Sequence, residues 1–280
     1  MNERIEATPN IAIFADTENV AIGVREAKYG ELDIALVLER LLDKGNIILK
    51  KAYCDWSNYK QLKKPLHEAA FELIEVPHVS YSGKNSADIR MVVDALDVCY
   101  SNDHVDLFVI LTGDSDFSPL VTKLRENNKR VIGIGVKHTS SDLLIENCDE
   151  YIYYDDLVRD KKKSKSNKRS KGRKTSGGRS SKGGRKSKGS NQKSEGGSKE
   201  EALEMVLDQV EALFRERDAN VWASLVKQTL KRKRPNFSET FYGYRNFSHL
   251  LEDAEKKGLL EIEKDEKSGG YIIQAFGPKA

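Results

Sequence analysis

Cysteine is scarce in this chain, three in 280 residues, and Cys54, Cys99 and Cys148 stand far apart with no C-x-x-C pair and no neighbouring histidine cluster. That spacing excludes a disulfide framework and a cysteine-rich zinc site, and leaves buried, reduced thiols. No apolar run approaches the ~18 residues of a membrane span. The opening stretch MNERIEATPNIAIFAD is charged first, and its apolar part is short and ends in Asp, so no secretory signal is expected. A cytoplasmic protein without membrane contact is the expectation. Also missing are G-x-S-x-G and Walker A sequences, and no histidine or cysteine stands at an obvious catalytic position.

Acidic side chains are almost absent from one region. Residues 1–159 hold 18 Lys/Arg and 27 Asp/Glu, residues 160–199 hold 16 and 2, and residues 200–280 hold 13 and 15. The net charge of +3 therefore hides segments of −9, +14 and −2. Lys161 to Ser198 is almost wholly Lys, Arg, Ser and Gly, without one aliphatic or aromatic side chain. Such a run cannot bury enough apolar surface to offset the entropy of ordering it, so residues 159–199 are expected to be a disordered basic linker. Its charge suits phosphate backbones bound without sequence preference, although a solubilising spacer has the same composition.

What the chain does have, before that run, is alternation. Ile11–Asp16, Asn46–Trp56, Phe71–Pro77, Asp106–Gly113 and Arg130–Val136 are apolar and β-rich, and between them lie LDIALVLERLL, YKQLKKPLHEAA, SADIRMVVDALDVCY and FSPLVTKLREN with helical spacing. This predicts an α/β domain over residues 1–158, a parallel sheet covered by helices on both faces and closed by a helix and short strand in LLIENCDEYIYYDDL. After the linker, residues 200–276 read as a small α+β module: three helices and a hairpin turning at Gly269 and Gly270, the winged-helix arrangement.

In open α/β sheets the ligand site lies beyond the carboxyl ends of the strands, near the reversal of strand order. The first strand ends FADTEN and the fourth ends LTGDSDF, so Asp16, Glu18 and Asn19 should meet Asp114 and Asp116 at one edge. Asp88, in the first turn of the helix that GKNSADIR opens, adds a third source. Carboxylates brought together raise one another's pKa, and a hard cation such as Mg²⁺ or Mn²⁺ relieves that cost. A single Asp at a strand end is more often a turn or cap residue. Three converging sources favour a metal site and metal-assisted phosphodiester hydrolysis. Asp94 is a weaker candidate ligand, because six residues beyond Asp88 is about 120° around a helix. Lys84 and Arg90 flank Asp88 and could meet substrate phosphate.

Three motifs, IAIFADTENV, GKNSADIRMVVDAL and LTGDSDFSPLVTKLRE with KRVIGIGV, together resemble the NYN domain, a branch of the PIN-like nuclease superfamily, over residues 11 to about 158. The resemblance implies a three-layer, Rossmannoid PIN-like fold with sheet order 3-2-1-4-5 and Mg²⁺- or Mn²⁺-dependent ribonuclease activity. It implies Asp16, Asn19, Asp88, Asp114 and Asp116 as site residues, with Asp94 at a position often acidic in the family. Thr17 departs from the glycine many members carry and could narrow the approach of substrate. GDSDF also resembles the metal-binding loop of phosphatases of the haloacid dehalogenase type. That family requires a second Asp where this chain has Glu18.

FYGYRNFSHLLEDAEKKGLLEIEKDEKSGGYII resembles the OST-HTH/LOTUS domain, which implies RNA binding, with protein docking or self-association as another use. Lys231, Arg232, Lys233, Arg234 and Arg245 beside Tyr242 and Tyr244 suit phosphate contact plus base stacking. Tyr242 and Tyr244 divide evenly between that role and packing. Two functions follow: a metal-dependent endoribonuclease tethered to RNA by its linker and C-terminal module, or a non-catalytic RNA-binding adaptor.

Overall fold

The computed structural model describes residues 8–76, 86–161, 197–216, 221–265 and 268–279. Two compact units result, Met1–Val158 with Ser224–Phe237, and Arg159–Ala223 with Ser238–Ala280. The basic run falls almost wholly outside the described residues.

The first unit is built on six strands, β1 (Asn10–Asp16), β2 (Asn46–Cys54), β3 (Glu72–Glu75), β4 (Leu107–Leu111), β5 (Arg130–Gly135) and β6 (Glu150–Tyr153). All neighbours are parallel, in the order β3-β2-β1-β4-β5-β6. This is the implied order 3-2-1-4-5 with β6 added outside β5. The helices are α1 (Thr17–Glu26), α2 (Ile34–Leu42), α3 (Lys60–Glu68), α4 (Ser86–Ser101), α5 (Ser118–Glu126) and α6 (Asp142–Asn147).

Strand alternation sorts the core into two layers. Ile11, Ile13 and Ala15 of β1, with Leu107, Val109 and Leu111 of β4, face Val20, Val24, Val37, Leu41, Leu62 and Leu66 of α1–α3. Ala12, Phe14, Phe108 and Ile110 face Met91, Ala95, Val121, Leu124 and Leu144 of α4–α6. Because both faces are covered, β1 and β4 are buried almost throughout, which is why their sequences read as unbroken apolar runs. Phe14 and Phe108 stack on one face, ring centres 6.0 Å apart. The sheet thereby holds β1 and β4 side by side, with Ala15 opposite Leu111 as the last paired residues.

One feature of this unit differs from the sequence reading. Helix α1 follows β1 without a loop, because the Asp16 side chain caps it by accepting from the Asn19 N–H at 3.2 Å. Its buried face mixes Val20 and Val24 with the small residues Thr17, Ala21 and Gly23, so helical periodicity in the sequence is faint. The three cysteines, as expected, are free and buried. Burial pushes the Cys148 thiol up to about 12 and raises the other two, which keeps them unreactive at neutral pH.

The second unit carries helix Lys199–Glu216, helix Phe247–Lys256 and an antiparallel sheet in which Tyr271–Phe276 lies between Val221–Trp222 and Leu260–Lys264. The predicted hairpin is present, and the two-residue strand Val221–Trp222 is its unforeseen third member. Gly258, at φ +72°, ends the Phe247–Lys256 helix in the left-handed conformation that favours glycine.

Candidate active site

The edge where β1 and β4 end is the point at which strand order reverses, β2 lying on one side of β1 and β4 on the other. Asp16 is the last residue of β1 and is 8% exposed. Its Oδ1 accepts from the Asn19 N–H and its Oδ2 accepts from Thr112 Oγ1 at 3.0 Å. Thr112, fully buried just past β4, in turn accepts from the Asp114 N–H at 3.2 Å. Asp114 caps the single helical turn Ser115–Phe117, its Oδ1 accepting from the Asp116 N–H at 3.0 Å. One chain of hydrogen bonds therefore runs from the end of β1 to Asp116.

A second clamp ties the same two strand ends. Asn19 Oδ1 accepts from the Gly113 N–H at 2.9 Å, so Asn19 positions the loop that carries Asp114. Tyr151 of β6 supports that loop from behind, its hydroxyl 3.0 Å from Thr112 O and 2.8 Å from Ser140 Oγ. Thr112 and Tyr151 escape sequence reasoning because a threonine ending an apolar strand, or a tyrosine inside EYIY, looks like ordinary strand composition.

The acids repel one another across this edge. Burial pushes the Asp16 carboxyl up to about 7, the charges of Asp88 and Glu18 add to this, and the Asn19 N–H and Thr112 hydroxyl oppose it. Asp88, in the first turn of α4, is raised by burial and then by Asp114, Asp116 and Glu18. The principal charges acting on both groups are thus other carboxylates, an all-oxygen donor set of the kind hard divalent cations take. Asp16, Asp88, Asp114 and Asp116 are the residues that could hold such an ion. Among the described residues, however, no three Asp, Glu, His or Cys side chains converge closely enough to form a finished cage.

Asp94 does not join them. Its Oδ2 accepts from Tyr53 OH at 2.8 Å and lies 3.7 Å from Lys51 Nζ, while Arg90 Nε is 3.1 Å from its Oδ1. Three partners from β2 and α4 engage this carboxylate, and they occupy Arg90 as well. Asp94→Ala is therefore expected to lower the free energy of unfolding by about 1–3 kcal/mol, read from the midpoint of urea denaturation, because Tyr53 OH loses its acceptor. Thr17 is 1% exposed with its hydroxyl 3.4 Å from Ala15 O, so it does not narrow any approach to the acids. Lys84 lies outside the described residues.

The sequence-predicted contacts of the C-terminal module divide. Arg232, Lys233, Arg234 and Arg245 are exposed. Lys231 is not free: its Nζ lies 3.3 Å from Glu150, which also pairs with Lys44 at 2.7 Å. Tyr242 and Tyr244 are 9% and 2% exposed, a correction to their assignment as base-stacking residues. Tyr244 OH donates to Asp253 at 2.7 Å and its ring packs edge-on against His249, so this aromatic cluster belongs to the core.

Comparison with known proteins finds two domain families along the chain. The NYN domain model matches residues 10–155, just over half of the chain, and the OST-HTH/LOTUS domain model matches residues 201–272. An uncharacterized protein of Methanocaldococcus jannaschii is 26% identical over 162 residues, 55% of this chain, and the match spans 62% of that relative's length. A crystal structure of a protein of unknown function from Vibrio parahaemolyticus is 27% identical, covering 56% of this chain and 98% of that one with a TM-score of 0.49. NYN domains are PIN-like nucleases, a group that typically uses divalent metals. With its strand-end carboxylates on a six-stranded parallel sheet and its second matched module, this chain belongs to the NYN domain family, joined to an OST-HTH/LOTUS domain.

Proposed function

We propose that the chain is a metal-dependent endoribonuclease whose cleavage centre is the edge where β1 and β4 end. The observation that carries this reading is the desolvated carboxylate of Asp16, linked through Thr112 to Asp114 and pressed by Asp88 and Glu18. A cluster of like charges on a rigid, buried support is costly unless a cation neutralises it.

Asp16, Asp88, Asp114 and Asp116 would hold Mg²⁺ or Mn²⁺, which when bound activates water and stabilises charge on the phosphodiester. Asn19 and Thr112 keep Asp16 and Asp114 in fixed orientations, so little reorganisation is needed when substrate arrives. Asp116, the exposed member, is the acid nearest to solvent and to an approaching strand. Because residues 1–159 carry −9, affinity for RNA has to come from the +14 run and from exposed Arg232, Lys233, Arg234 and Arg245. Domain limits of 1–158, 159–199 and 200–276 divide these tasks. No helix among the described residues is long and apolar enough to cross a membrane.

A second reading, RNA binding without cleavage, is favoured by the absence of three converging ligands among the described residues. One experiment decides. A labelled single-stranded RNA is incubated with the full chain and Mg²⁺, Mn²⁺ or EDTA, alongside an Asp114→Asn variant of verified fold. Metal-dependent cleavage by the wild type, lost in the variant, is the expected result. RNA that is bound and left intact under every condition would transfer the function to the adaptor reading.

A further inference from the structure

The β6 edge of the six-stranded sheet is covered by a piece of chain far from it in sequence. Residues Ser224–Phe237 lie inside the OST-HTH/LOTUS match, yet they pack with the first unit. The helix Ala223–Lys233 runs into a turn closed by the Phe237 N–H on Arg234 O at 3.0 Å, and Pro235 takes the second position of that turn, which its fixed φ suits. The turn presents the Pro235 carbonyl to β6, where it accepts from the Tyr151 N–H at 2.9 Å. Asn236 Nδ2 donates to Tyr153 OH at 3.1 Å, and Lys231 Nζ lies 3.3 Å from Glu150. Contacts at residues 150, 151 and 153 thus hold the segment along an edge strand, whose outward N–H groups need a cover.

The same strand reaches the acids from its other side. The Tyr151 ring lies across β5: a methyl group at Gly133 would come within 2.4 Å of the ring, and one at Gly135 within 2.3 Å of its hydroxyl. Glycine inside a buried strand forfeits side-chain packing, so the two in VIGIGV mark a close approach that a larger residue would block. The room they leave brings the Tyr151 hydroxyl to Thr112 O, and Thr112 is the residue whose own hydroxyl bonds Asp16. The Tyr153 ring meets the Tyr151 ring edge-on, centres 5.5 Å apart, so the contacts of Pro235 and Asn236 converge on Tyr151. An unbroken series of bonded or packed groups therefore runs from the turn through Tyr151 and Thr112 to Asp16.

We propose that residues 231–236 act as a strap that positions the cleavage centre, with Tyr151 the positioning residue through which the strap fixes Thr112 and the loop carrying Asp114. The inference rests on the nuclease reading and adds to it: the C-terminal part of the chain sets the geometry of the acids as well as supplying affinity for RNA. Release of the strap frees the outer side of β6, lets the Tyr151 ring shift over its two glycines and removes the backing of the acid loop.

Amide hydrogen exchange, followed residue by residue by NMR on the full chain in EDTA, reads each step without requiring activity. Lys231→Met/Asn236→Ala removes both side-chain holds of the strap. Exchange should quicken at the Tyr151 N–H, and by about tenfold at the Gly113 and Asp114 N–H groups, which bond Asn19 Oδ1 and Thr112 Oγ1, while amides of β2 and β3 stay unchanged. Tyr151→Phe keeps the ring and the bond to Pro235 but lacks the hydroxyl, and should quicken Gly113 and Asp114 alone. Because both variants act through one hydroxyl, the three substitutions together should give no more at the loop than Tyr151→Phe gives by itself, whereas independent sites would add. Single-turnover cleavage of labelled single-stranded RNA should fall about tenfold in each variant with affinity in EDTA unchanged, the pattern of a misplaced catalytic group.

Faster exchange at Tyr151 with Gly113 and Asp114 at wild-type rates would overturn the proposal and leave the strap a cover for the edge. So would acceleration spread evenly over the sheet, which is loss of overall stability, or full additivity of the two variants. The nuclease reading fails separately. The expected exchange pattern in a chain that never cleaves RNA upholds the strap's hold on the acid loop and removes the activity, whereas metal-dependent cleavage that both variants retain at the wild-type rate keeps the nuclease and discards the strap.

Discussion

Asp16→Asn should abolish RNA cleavage and, in EDTA at pH 8, make the protein more stable than the wild type. The two effects share one cause. In the folded chain burial holds the Asp16 carboxyl near 7 against an ordinary value of 3.8, so between those values the folded state keeps a proton that the unfolded state has released. Stability then falls as pH rises through that window, because the folded state binds more protons than the unfolded one. A shift of that size corresponds to about 4 kcal/mol of stability, fully present below about pH 4 and fully lost above about pH 7. Asparagine is close in shape and never charges, so the variant should show no such decline. Its carbonyl can still accept from Asn19, and the Thr112 hydroxyl can turn to accept from the new amide. Urea midpoints for both proteins from pH 4 to 8 measure the effect. Mg²⁺ should restore stability to the wild type alone. A variant less stable than the wild type at pH 8 would mean that hydrogen bonding to the charged carboxylate outweighs its desolvation.

Gly113→Ala removes no acid, yet it should disable the same edge. A methyl group at Gly113 would lie 2.5 Å from Thr139 O and 2.9 Å from Thr139 C, both backbone atoms that cannot swing aside. Gly113 is also held on both sides, its N–H by Asn19 Oδ1 and its carbonyl by the Ser141 N–H at 2.9 Å. Relief therefore requires the loop after β4 to move, and Asp114 moves with it. Overpacking of this kind costs about 1–3 kcal/mol. Because displacement of a catalytic group by ~1 Å can cost 10²-fold in rate, cleavage should drop by about that factor while RNA affinity changes little. The check is a comparison of single-turnover cleavage and filter binding for Gly113→Ala and wild type. Full activity in the variant would show that the loop relaxes without carrying Asp114 along.

Much of this architecture is legible in the sequence, for identifiable reasons. Strands buried on both faces must be apolar throughout, so β1 and β4 are unmistakable, and polar residues at their ends then identify the edge. The angular separation of Asp88 and Asp94 on one helix made Asp94 the weaker candidate ligand, and the structure engages its carboxylate with Tyr53, Lys51 and Arg90. What no local pattern contains is the partner of a side chain. Lys51 and Tyr53 reach Asp94 from β2, and Glu150 meets Lys231 from 81 positions away, pairings that only the assembled fold creates. The tyrosines of FYGYRNF are equally silent, since an aromatic-rich segment has the same letters whether its rings face RNA or Met205 and Asp253. Thr112 has no signature at all, because its significance lies in a register, Ala15 beside Leu111, that brings its hydroxyl to Asp16.

That register has a bearing on how the molecule is made. Asp16 and Thr112 are 96 residues apart and meet only when β4 pairs alongside β1. On a ribosome the first acid emerges long before the second, and the carboxylate edge stays in two pieces until most of the sheet has been synthesised. On the proposed nuclease reading, no cleavage centre exists while the sheet is incomplete, and the basic run and the C-terminal module proposed to bind RNA follow β4 in the chain.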